Sequence, residues 1–386
     1  MVRDVFDYPE GFRNLFFEWG VGDTYSYGIV GYQFCRYAGD SGRWRPMPVL
    51  YPMRFLVPLD PLEERVFVGY QRLTQDRTCG ISERDVLLRP IGLSVFPRMP
   101  EVPAKQIGFV AIERSELTSE EVSALSGYDG LIACSRWGAD VLRFHGLKRV
   151  RCVHQGVDRE LFRPLRKRLF ADRFVLFSGG QLCLRKAQDV VVTAARRFLA
   201  AHPDAFLIVA WRSAWEKLMV RELAQSRLVE PIEWQEDMGA GIAAWLEANG
   251  IPDRQRWVLG QVANRLMPQV LRECDVGVFP NRCEAGTNLV AMECLASGVP
   301  IIASRNSGHL DLAGALGLLS LRDQSPAAVP GWYESSVDEL IERLEAEYEG
   351  WRSMGKTLSL ETAPRIPTWE ASVQAHLEAI EDLCGG

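Results

Sequence analysis

The sequence predicts an α/β protein with two domains, each built around a parallel sheet. Its 386 residues exceed what one hydrophobic core usually serves, since domains ordinarily hold about 100–200 residues. Short apolar runs alternate with helical patterns in both halves of the chain, and strands that alternate with helices pair in parallel through right-handed crossovers. A polar connector that contains a proline, Leu161 to Leu169, separates the two series and places the domain boundary near residue 165.

In the first half, four apolar runs are predicted as strands. They are Leu15 to Glu18, Ile107 to Ile112, Gly130 to Cys134 and Val150 to Val153. A helix is predicted from Ser135 to Phe144, because Ser135 can cap its first turn and Gly146 can end it. From Met47 to Pro103, eight prolines interrupt any regular period, so no element is predicted there.

The second half has a more regular pattern of strands with helices between them. The predicted strands are Phe174 to Phe177, Phe206 to Ala210, Trp257 to Leu259, Val276 to Phe279 and Pro300 to Ala303. In sheets of this kind, ligands bind beyond the carboxyl ends of the strands. The loops that follow these strands are therefore the first places to search for chemistry.

Composition and charge exclude several classes of protein. Apolar residues make up 47% of the chain and charged residues 24%, as in globular proteins, and no window approaches the roughly 18 apolar residues of a membrane span. The start, Met1 to Phe12, lacks the basic and apolar stretches of a signal peptide, so we expect a cytoplasmic protein. A net charge of −6 with no long basic run argues against a nucleic-acid partner, whereas peripheral contact with a membrane surface stays open.

The nine cysteines are scattered along the chain, with no pair at C-x-x-C spacing. Neither a zinc site nor a disulfide framework is therefore indicated, and most cysteines are expected to be small buried residues. No cluster of carboxylates in the sequence asks for a magnesium ion, so no metal site is predicted.

The most informative stretch runs from Phe279 to Pro300 and begins with a predicted strand. Directly before and at the start of the next predicted helix it holds Glu284, Gly286, Thr287, Asn288 and Leu289. Free N–H groups and the positive end of the helix dipole at such a position suit a phosphate. Glu284 could accept hydrogen bonds from sugar hydroxyls, and Glu293, inside the helix, could accept them from a ribose. Taken alone, the pattern also fits a helix-start acid and an exposed helix residue.

A second informative stretch, Phe174 to Asp189, combines a strand, a Gly-Gly turn and two adjacent cations. Arg185 and Lys186 stand where a helix is expected to start. Because cations there oppose the helix dipole, two in succession indicate that an anion binds nearby. The alternative for Lys186 is a solvated charge in the first helical turn.

Together these stretches resemble the retaining glycosyltransferases of GT-B fold, a large family that uses nucleotide sugars. The family signature is two glutamates around a glycine-rich turn, followed by a helix of small residues and by G-V-P, here residues 298–300. The resemblance implies an α/β protein with two Rossmann-like domains and a cleft between them. It also implies that Glu284 contacts the donor sugar, that Glu293 contacts the nucleotide ribose and that Lys186 neutralises the donor diphosphate.

The sequence departs from the family pattern at two positions. The family usually has seven residues between its glutamates, whereas eight lie between Glu284 and Glu293, and Ala285 occupies the usual first position. Gln181 stands where the family has an arginine that faces the diphosphate. A glutamine can still donate a hydrogen bond to a phosphate, but without the assistance of charge. Arg185 could compensate for the missing cation.

Further marks extend the resemblance over residues 129–312. They are Asp129 to Ser135, His154 to Asp158, Leu259 to Gly260, Leu266 to Leu271 and Cys274 to Val278. Gln261 and Val262 fall at the family's base-binding edge, and Trp369 fits its habit of ending with a helix that packs back across the first domain. The implied domains are residues 1–165 on the acceptor side, residues 166–362 on the donor side and a C-terminal helix at 363–386.

The first half offers fewer candidates. Gly20 and Gly22 follow the first strand and resemble the turn by which the family's first domain approaches the donor phosphate, although a plain tight turn fits as well. Many relatives carry a histidine past a strand of the first domain, facing the reacting sugar, and none occurs from Ile107 to Glu120. Glu113 ends that strand instead and is a catalytic candidate, with a structural role as the alternative.

The function implied by the resemblance is that of a hexosyltransferase in glycan biosynthesis, which moves a sugar from a nucleoside-diphosphate sugar to an acceptor hydroxyl, with retention and without metal or cofactor. The expected catalytic residues are Glu284, Lys186 and Glu113. The expected donor-binding residues are Gly20, Gly22, Gly180, Gln181, Arg185, Lys186, Gln261, Val262, Gly286, Thr287, Asn288, Leu289 and Glu293. The acceptor is a glycan, a lipid-linked molecule, a small molecule or a protein. Two alternatives stay open: a non-catalytic GT-B partner subunit that binds glycan or protein, and an epimerase or phosphorylase of the same fold.

Overall fold

The computed structural model describes residues 8–50, 53–75, 80–92, 94–213, 216–315, 317–354 and 366–385. The chain divides into two compact units. The first comprises the residues up to Asp158, the segment Ala263–Arg265 and the residues from Pro367 onward. The second comprises Arg159–Val262 and Leu266–Ile366.

The first unit is built around a sheet of six parallel strands. The strands are β1 (Arg13–Phe17), β2 (Trp44–Pro48), β3 (Val86–Ile91), β4 (Lys105–Val110), β5 (Gly130–Ala133) and β6 (Val150–Cys152). Their order in the sheet is β2-β1-β3-β4-β5-β6. The helices between them are α1 (Ser26–Tyr37), α2 (Pro61–Gln75), α3 (Ser119–Ser126) and α4 (Arg136–Phe144).

The second unit repeats this architecture with a second sheet of six parallel strands. Its strands are β7 (Phe174–Gln181), β8 (Ala205–Arg212), β9 (Arg256–Val258), β10 (Val276–Phe279), β11 (Ile301–Ser304) and β12 (Leu318–Leu321), in the order β12-β11-β10-β7-β8-β9. A hairpin follows, formed by β13 (Gln324–Pro326) and β14 (Tyr333–Ser335). The helices are α5 (Gln188–Ala201), α6 (Glu216–Leu223), α7 (Met238–Ala248), α8 (Met267–Leu271), α9 (Leu289–Ala296) and α10 (Val337–Met354). The last helix, α11 (Trp369–Gly385), belongs to the first unit and packs on α1 and β5.

The predicted α/β class is confirmed, and so are the predicted strands, within a few residues at each end. Every residue of β5, β10 and β11 is buried, as expected for parallel strands that helices cover on both faces. The predicted cap of α4 is present as well, because Ser135 Oγ accepts a hydrogen bond from Gly138 N at 3.1 Å.

The proline-rich stretch from Met47 to Pro103 contains the end of β2, helix α2 and strand β3, although no element was predicted there. Each element tolerates its prolines for a local reason. Strand β2 is an edge strand, where prolines are allowed, and Pro61 is the first residue of α2, which needs no N–H. The backbone nitrogen of Pro90 is on the side of β3 that faces β1. Pairing with β1 ends at Leu88, so the missing N–H of Pro90 removes no hydrogen bond from the sheet.

The N-terminal segment of the first unit ends at Asp158, whereas the sequence placed the domain boundary near residue 165. The connector is tied to the second unit through Glu273, a buried residue just before β10. Its carboxylate accepts hydrogen bonds from the backbone N atoms of Arg168, Leu169 and Phe170 at 2.9–3.2 Å. These contacts give the connector a fixed place in the second unit. Residues 363–365, where the predicted C-terminal helix begins, lie outside the described residues.

Eight of the cysteines lie in the described residues, where none of them forms a disulfide and six are buried. The ninth, Cys79, lies outside those residues. Among the helices of the described ranges, none combines the length and the apolar character that crossing a membrane requires.

Candidate functional site

Three loops lie side by side at the carboxyl edge of the second sheet, because strands β7, β10 and β11 are neighbours. The loops cover residues 182–187, 280–288 and 305–309. Strands β8 and β9 follow β7 on one side of the sheet, whereas β10, β11 and β12 lie on its other side. The boundary between β7 and β10 is therefore the topological switch point, where ligands of open α/β sheets bind.

Two residues at the end of β7 and in the loop that follows it have a positive φ. Gly180 has a φ of 120°, and Ala187, just before α5, has the left-handed φ of 56°. A 3-10 turn, Leu184–Lys186, lies between them. The side chain of Gln188 closes the loop, since its Nε2 donates to Gln181 O at 2.8 Å and its Oε1 accepts from Cys183 N at 3.3 Å. Lys186 is thus carried by a rigid turn.

Lys186 meets Glu284 across the switch point. Lys186 Nζ donates to Glu284 Oε2, and both side chains are nearly buried, with exposed fractions of 11% and 8%. The same carboxylate oxygen accepts from Asn281 Nδ2 at 2.8 Å. The interpretation of Lys186 as a solvated first-turn charge is therefore wrong, and the anion nearest to it within the protein is the carboxylate of Glu284.

Glu284 is held in its ionised form. Burial opposes the charge on Glu284, but the positive charges of Lys186 and Arg185 outweigh burial and lower the pKa of the carboxyl to about 2. Arg185 is itself buried and donates from Nη1 to Cys283 O at 2.9 Å. The loop after β10 therefore presents a carboxylate, rather than a carboxylic acid, at neutral pH.

The start of α9 is organised by Asn288, whose φ of 62° lies in the left-handed region that asparagine tolerates. Its Oδ1 accepts from Ala291 N at 3.4 Å and so caps the helix. Its Nδ2 then donates to His309 Nε2 at 3.1 Å, which leaves His309 Nδ1 to donate to Ser304 Oγ at 3.0 Å. Burial lowers the pKa of His309 to about 4, against the opposing charge of Glu284, so the ring is neutral at pH 7.

The loop after β11 packs against the Glu284 loop without any spare room. Gly308 N donates to Glu284 O at 2.9 Å, and Ser307 Oγ accepts from Glu284 N at 2.7 Å. A Cβ atom on Gly308 would lie 1.7 Å from Gly286 O. Only glycine fits at this position, and the two loops act as one packed layer.

Two more candidates lie in this layer. Glu293 is in the second turn of α9 and is 4% exposed, so the interpretation of it as an exposed helix residue is wrong. Thr287 Oγ1 donates to Met292 Sδ at 2.9 Å. The first N–H groups of α9, at Leu289 and Val290, are those that an α-helix leaves without an intrahelical acceptor. An anion beside them would meet the positive end of the helix dipole.

The remaining candidates of the second unit lie elsewhere on the same carboxyl edge. Gln181 ends β7 and is half-buried, and its Nε2 donates to Ser213 Oγ at 3.5 Å. Gln261 is exposed and Val262 half-buried in the loop that follows β9, at the edge of the sheet. Strand β8 separates that loop from the Lys186 turn.

The candidates of the first unit have close neighbours within that unit. A Cβ atom on Gly22 would lie 2.4 Å from Arg54 O, and one on Gly20 would lie 2.5 Å from the hydroxyl of Tyr25. These glycines therefore make room for their own neighbours. Glu113 follows β4 and is half-buried; together with burial, the larger cause, its negative charge raises the pKa of Tyr27.

Sequence reasoning did not single out three residues of the second unit that contact the loops carrying Lys186 and Glu284. They are Asp189, Arg282 and His309. The signal for His309 was present, since it follows a strand within a short polar run at the carboxyl edge, as Glu284 does. Arg282 and Asp189 are 93 residues apart in the chain, and no local pattern indicates that they meet.

Comparison with known proteins agrees with this geometry. Residues 172–329 match the family described as glycosyl transferases group 1. A D-inositol 3-phosphate glycosyltransferase from Acidothermus cellulolyticus is 30% identical over 170 residues, which cover 42% of this chain and 34% of that protein. The chain spans only 34–49% of the length of the curated relatives it matches.

Two solved structures share the fold over nearly the whole chain. HepE from Anabaena, crystallised with UDP-glucose, has a TM-score of 0.62 at 14% identity and is covered over 99% of its length and 96% of this chain. A sucrose-phosphate synthase from Thermosynechococcus elongatus has a TM-score of 0.62 at 14% identity, with 97% of this chain and 99% of the other covered. The chain therefore has the GT-B fold, and its residues 172–329 are similar to the group 1 glycosyl transferases.

Proposed function

We propose that this protein is a glycosyltransferase that moves a sugar from a nucleoside-diphosphate sugar to an acceptor hydroxyl. The observation that carries the proposal is the contact of Lys186 with Glu284 at the switch point of the second sheet. Glu284 lies five residues before the first residue of α9. This arrangement offers one cation, one carboxylate and a set of helix N–H groups to a single ligand. A sugar diphosphate has matching groups, namely phosphate oxygens and sugar hydroxyls.

In the proposed reaction, the bond between the sugar C1 and the diphosphate oxygen breaks, and its electron pair leaves with the diphosphate. The acceptor oxygen forms the new bond to C1, and its proton passes to the leaving diphosphate. Negative charge grows on the leaving diphosphate, and Lys186 together with the first N–H groups of α9 stabilises it. Because these cationic and dipolar groups are fixed, the proposal needs neither a metal ion nor a cofactor.

Glu284 has a different role from that of a proton donor. With a pKa of about 2, it stays ionised and can accept hydrogen bonds from sugar hydroxyls while its charge stabilises the oxocarbenium-like transition state. Glu293 accepts a hydrogen bond from the ribose, and retention of the anomeric configuration is part of the same proposal. Gln181, Gln261 and Val262 complete the donor side.

The names of the relatives supply the first probes. UDP-glucose is the nucleotide sugar present in the HepE crystal, and D-inositol 3-phosphate is the compound in the name of the curated relatives. We therefore propose UDP-glucose as donor and a phosphorylated polyol as the first acceptor class to test.

Calorimetric titration with UDP and UDP-glucose tests donor binding. We expect binding by the wild type and a ~10- to 100-fold weaker affinity for Lys186→Ala, because a charged hydrogen bond to phosphate contributes about 1.5–3 kcal/mol. Lys148→Ala is the matched control, since Lys148 is an exposed lysine of the first unit. Product analysis by NMR with UDP-glucose and D-inositol 3-phosphate then reports transfer and the anomeric outcome.

The outcomes separate the competing functions. Wild-type protein that binds no nucleoside diphosphate or nucleotide sugar would refute the enzyme proposal and favour a non-catalytic partner subunit. Conversion of the donor alone would indicate an epimerase, and conversion that depends on inorganic phosphate would indicate a phosphorylase. Equal affinity of Lys186→Ala and the wild type would remove Lys186 from the proposal.

A further inference from the structure

Arg282 is a buried arginine in the loop after β10 whose guanidinium group donates four hydrogen bonds. Its Nη1 and Nη2 donate to the two carboxylate oxygens of Asp189 at 2.9 and 2.7 Å. Nη1 also donates to Leu184 O at 2.6 Å, and Nε donates to Glu334 Oε1 at 2.7 Å. Arg282 is 4% exposed and Asp189 0% exposed. A bidentate pair of this kind fixes orientation as well as distance.

The backbone of Arg282 makes two more connections. Its N donates to Arg185 O at 2.8 Å, and its O accepts from Tyr333 N at 2.9 Å in β14. Leu184 and Arg185 belong to the 3-10 turn that ends at Lys186. Arg282 therefore binds the carbonyls of the two residues directly before Lys186 and stands two residues before Glu284.

Asp189 serves the same connection from the side of α5. Asp189 lies in the first turn of α5, where an acidic side chain commonly interacts with the helix N-terminus. Here its two carboxylate oxygens are directed to Arg282 and to Ser226 Oγ, which donates at 2.6 Å. The residue that precedes α5, Ala187, has no side-chain group with which to cap the helix. Arg282 thus binds two carbonyls of the turn that carries Lys186, in addition to the hydrogen bonds by which Gln188 closes that turn.

We infer that Arg282, through Asp189 and the two carbonyls, is a positioning residue that sets Lys186 against the donor diphosphate. This inference rests on the proposed function, because it assigns to Lys186 the diphosphate of a nucleotide sugar. Arg282 contacts neither donor nor acceptor in this scheme. It locks the turn of β7 to the loop of β10, so that the cation and the carboxylate converge on one ligand without reorganisation.

The first test is Arg282→Lys. Lysine keeps the charge but cannot make the bidentate pair or reach the carbonyls with the same geometry. We expect UDP affinity to fall about 10-fold or more, and kcat for transfer to fall as well, because displacement by about 1 Å can reduce the rate ~100-fold. In the Lys186→Ala background, Arg282→Lys should change UDP affinity less than 2-fold. Additive losses in the double variant would overturn the inference, since Arg282 would then act independently of Lys186.

A second variant separates positioning from a purely structural role. Arg282→Met combined with Asp189→Leu replaces the buried pair by apolar side chains, a change that often preserves stability. Positioning predicts that UDP affinity stays low even when the melting temperature is close to that of the wild type. Wild-type affinity in this double variant would overturn the inference.

Hydrogen exchange keeps the inference testable if the apolar variant does not fold. In Arg282→Lys, the amides of residues 183–187 should exchange faster, while those of α3 in the first unit should not change. Unchanged exchange at 183–187 contradicts the inference. Failure of the proposed function is distinguishable, because it appears as absence of nucleotide binding in the wild type, whereas failure of this inference leaves wild-type binding intact.

Discussion

The carboxyl edges of the two sheets carry different kinds of residues, although the sheets have the same architecture. Each has six parallel strands and one reversal of strand order, between β1 and β3 in the first unit and between β7 and β10 in the second. At the first reversal, Gly20 and Gly22 make room for the side chain of Tyr25 and the backbone of Arg54. At the second, Lys186, Glu284 and a neutral His309 lie close together in buried positions.

This difference indicates which of the two sheets is expected to contribute most of the binding free energy of a ligand. Where a side chain would clash with a neighbouring group, packing alone accounts for the presence of glycine, and no ligand is needed to explain it. A buried ion pair contributes little net stability, because the loss of hydration offsets the attraction between its charges, so the pair of Lys186 and Glu284 calls for a role beyond folding. The second sheet should therefore account for most of the affinity for a nucleotide, and each prediction below tests that assignment.

The largest effect is expected for Gly308→Ala. The added Cβ would lie 1.7 Å from Gly286 O and 2.7 Å from Glu284 O, so the two loops cannot stay packed. We expect a loss of more than ~4 kcal/mol of stability, or failure of the second unit to fold, together with loss of nucleotide binding. Thermal unfolding and UDP titration measure both. Gly350→Ala is the control, because a Cβ at Gly350 meets nothing within 4 Å; a Gly308→Ala variant that melts like this control would contradict the packing.

The next largest effect is expected when either of two lysines with nearly buried side chains, Lys167 or Lys186, is replaced. Lys167 Nζ donates to Asp275 Oδ2 just before β10, at the amino edge of the second sheet, whereas Lys186 and Glu284 lie at its carboxyl edge. Replacing either lysine by alanine leaves a buried carboxylate without its cation and should cost about 3–5 kcal/mol. Only Lys186→Ala should also weaken UDP binding, as calorimetry under conditions where both variants are folded can measure. Weaker binding by Lys167→Ala would show that general destabilisation, rather than the carboxyl edge, controls affinity.

The sequence allowed both sheets to be predicted because buried parallel strands leave continuous apolar runs, such as Val276 to Phe279. It also drew attention to Lys186 and Glu284, since each follows such a strand. Their direct contact did not follow from the sequence, because it depends on β10 lying next to β7, and the two residues are 98 positions apart.

The elements missed in the proline-rich stretch have two different explanations. Prolines generally disfavour strands and helices. Pro61 is tolerated because it is the first residue of a helix, and Pro90 is tolerated because it lies beyond the point where the neighbouring strand ends. For Pro90, the answer depends on the order of the strands in the sheet, which cannot be derived from the sequence alone. Arg282 was missed for the same reason as the contact of Lys186 with Glu284, since its partners come from loops that only the sheet brings together.

Acidification should reduce the stability of both units, with a further loss in the second. Burial lowers the pKa of His309 in the second unit and of His376 in the first to about 4, against about 6.5 in an unfolded chain. Each histidine is neutral when folded, so stability is complete above pH 6.5 and declines as the pH falls from 6.5 to 4. Between pH 7.5 and 5, each should remove about 2 kcal/mol. Glu284, with a pKa of about 2, adds a loss from about pH 4.5 to pH 2.

Urea unfolding followed by tryptophan fluorescence at pH 7.5 and pH 5 measures this decline. His309→Gln and His376→Gln should each reduce the difference in unfolding free energy between the two pH values by about 2 kcal/mol. The two variants should differ in nucleotide binding, because only His309 contacts Asn288 at the start of α9. An unchanged pH dependence in either variant would mean that the histidine is protonated in the folded protein.

The smallest effects are expected at two exposed helix caps, one in each unit. Thr118 caps α3 through Glu121 N and forms a capping box with Glu121, while Asp237 caps α7 through Gly239 N and Ala240 N. Replacing either residue by alanine should cost about 1 kcal/mol, because one or two N–H groups lose their acceptor. Neither cap contacts the loops after β7, β10 and β11, so UDP affinity should match that of the wild type in both variants. If Asp237→Ala alone lowered the affinity, nucleotide binding would depend on the stability of the second unit as a whole, and the contrast between the two sheet edges would no longer explain it.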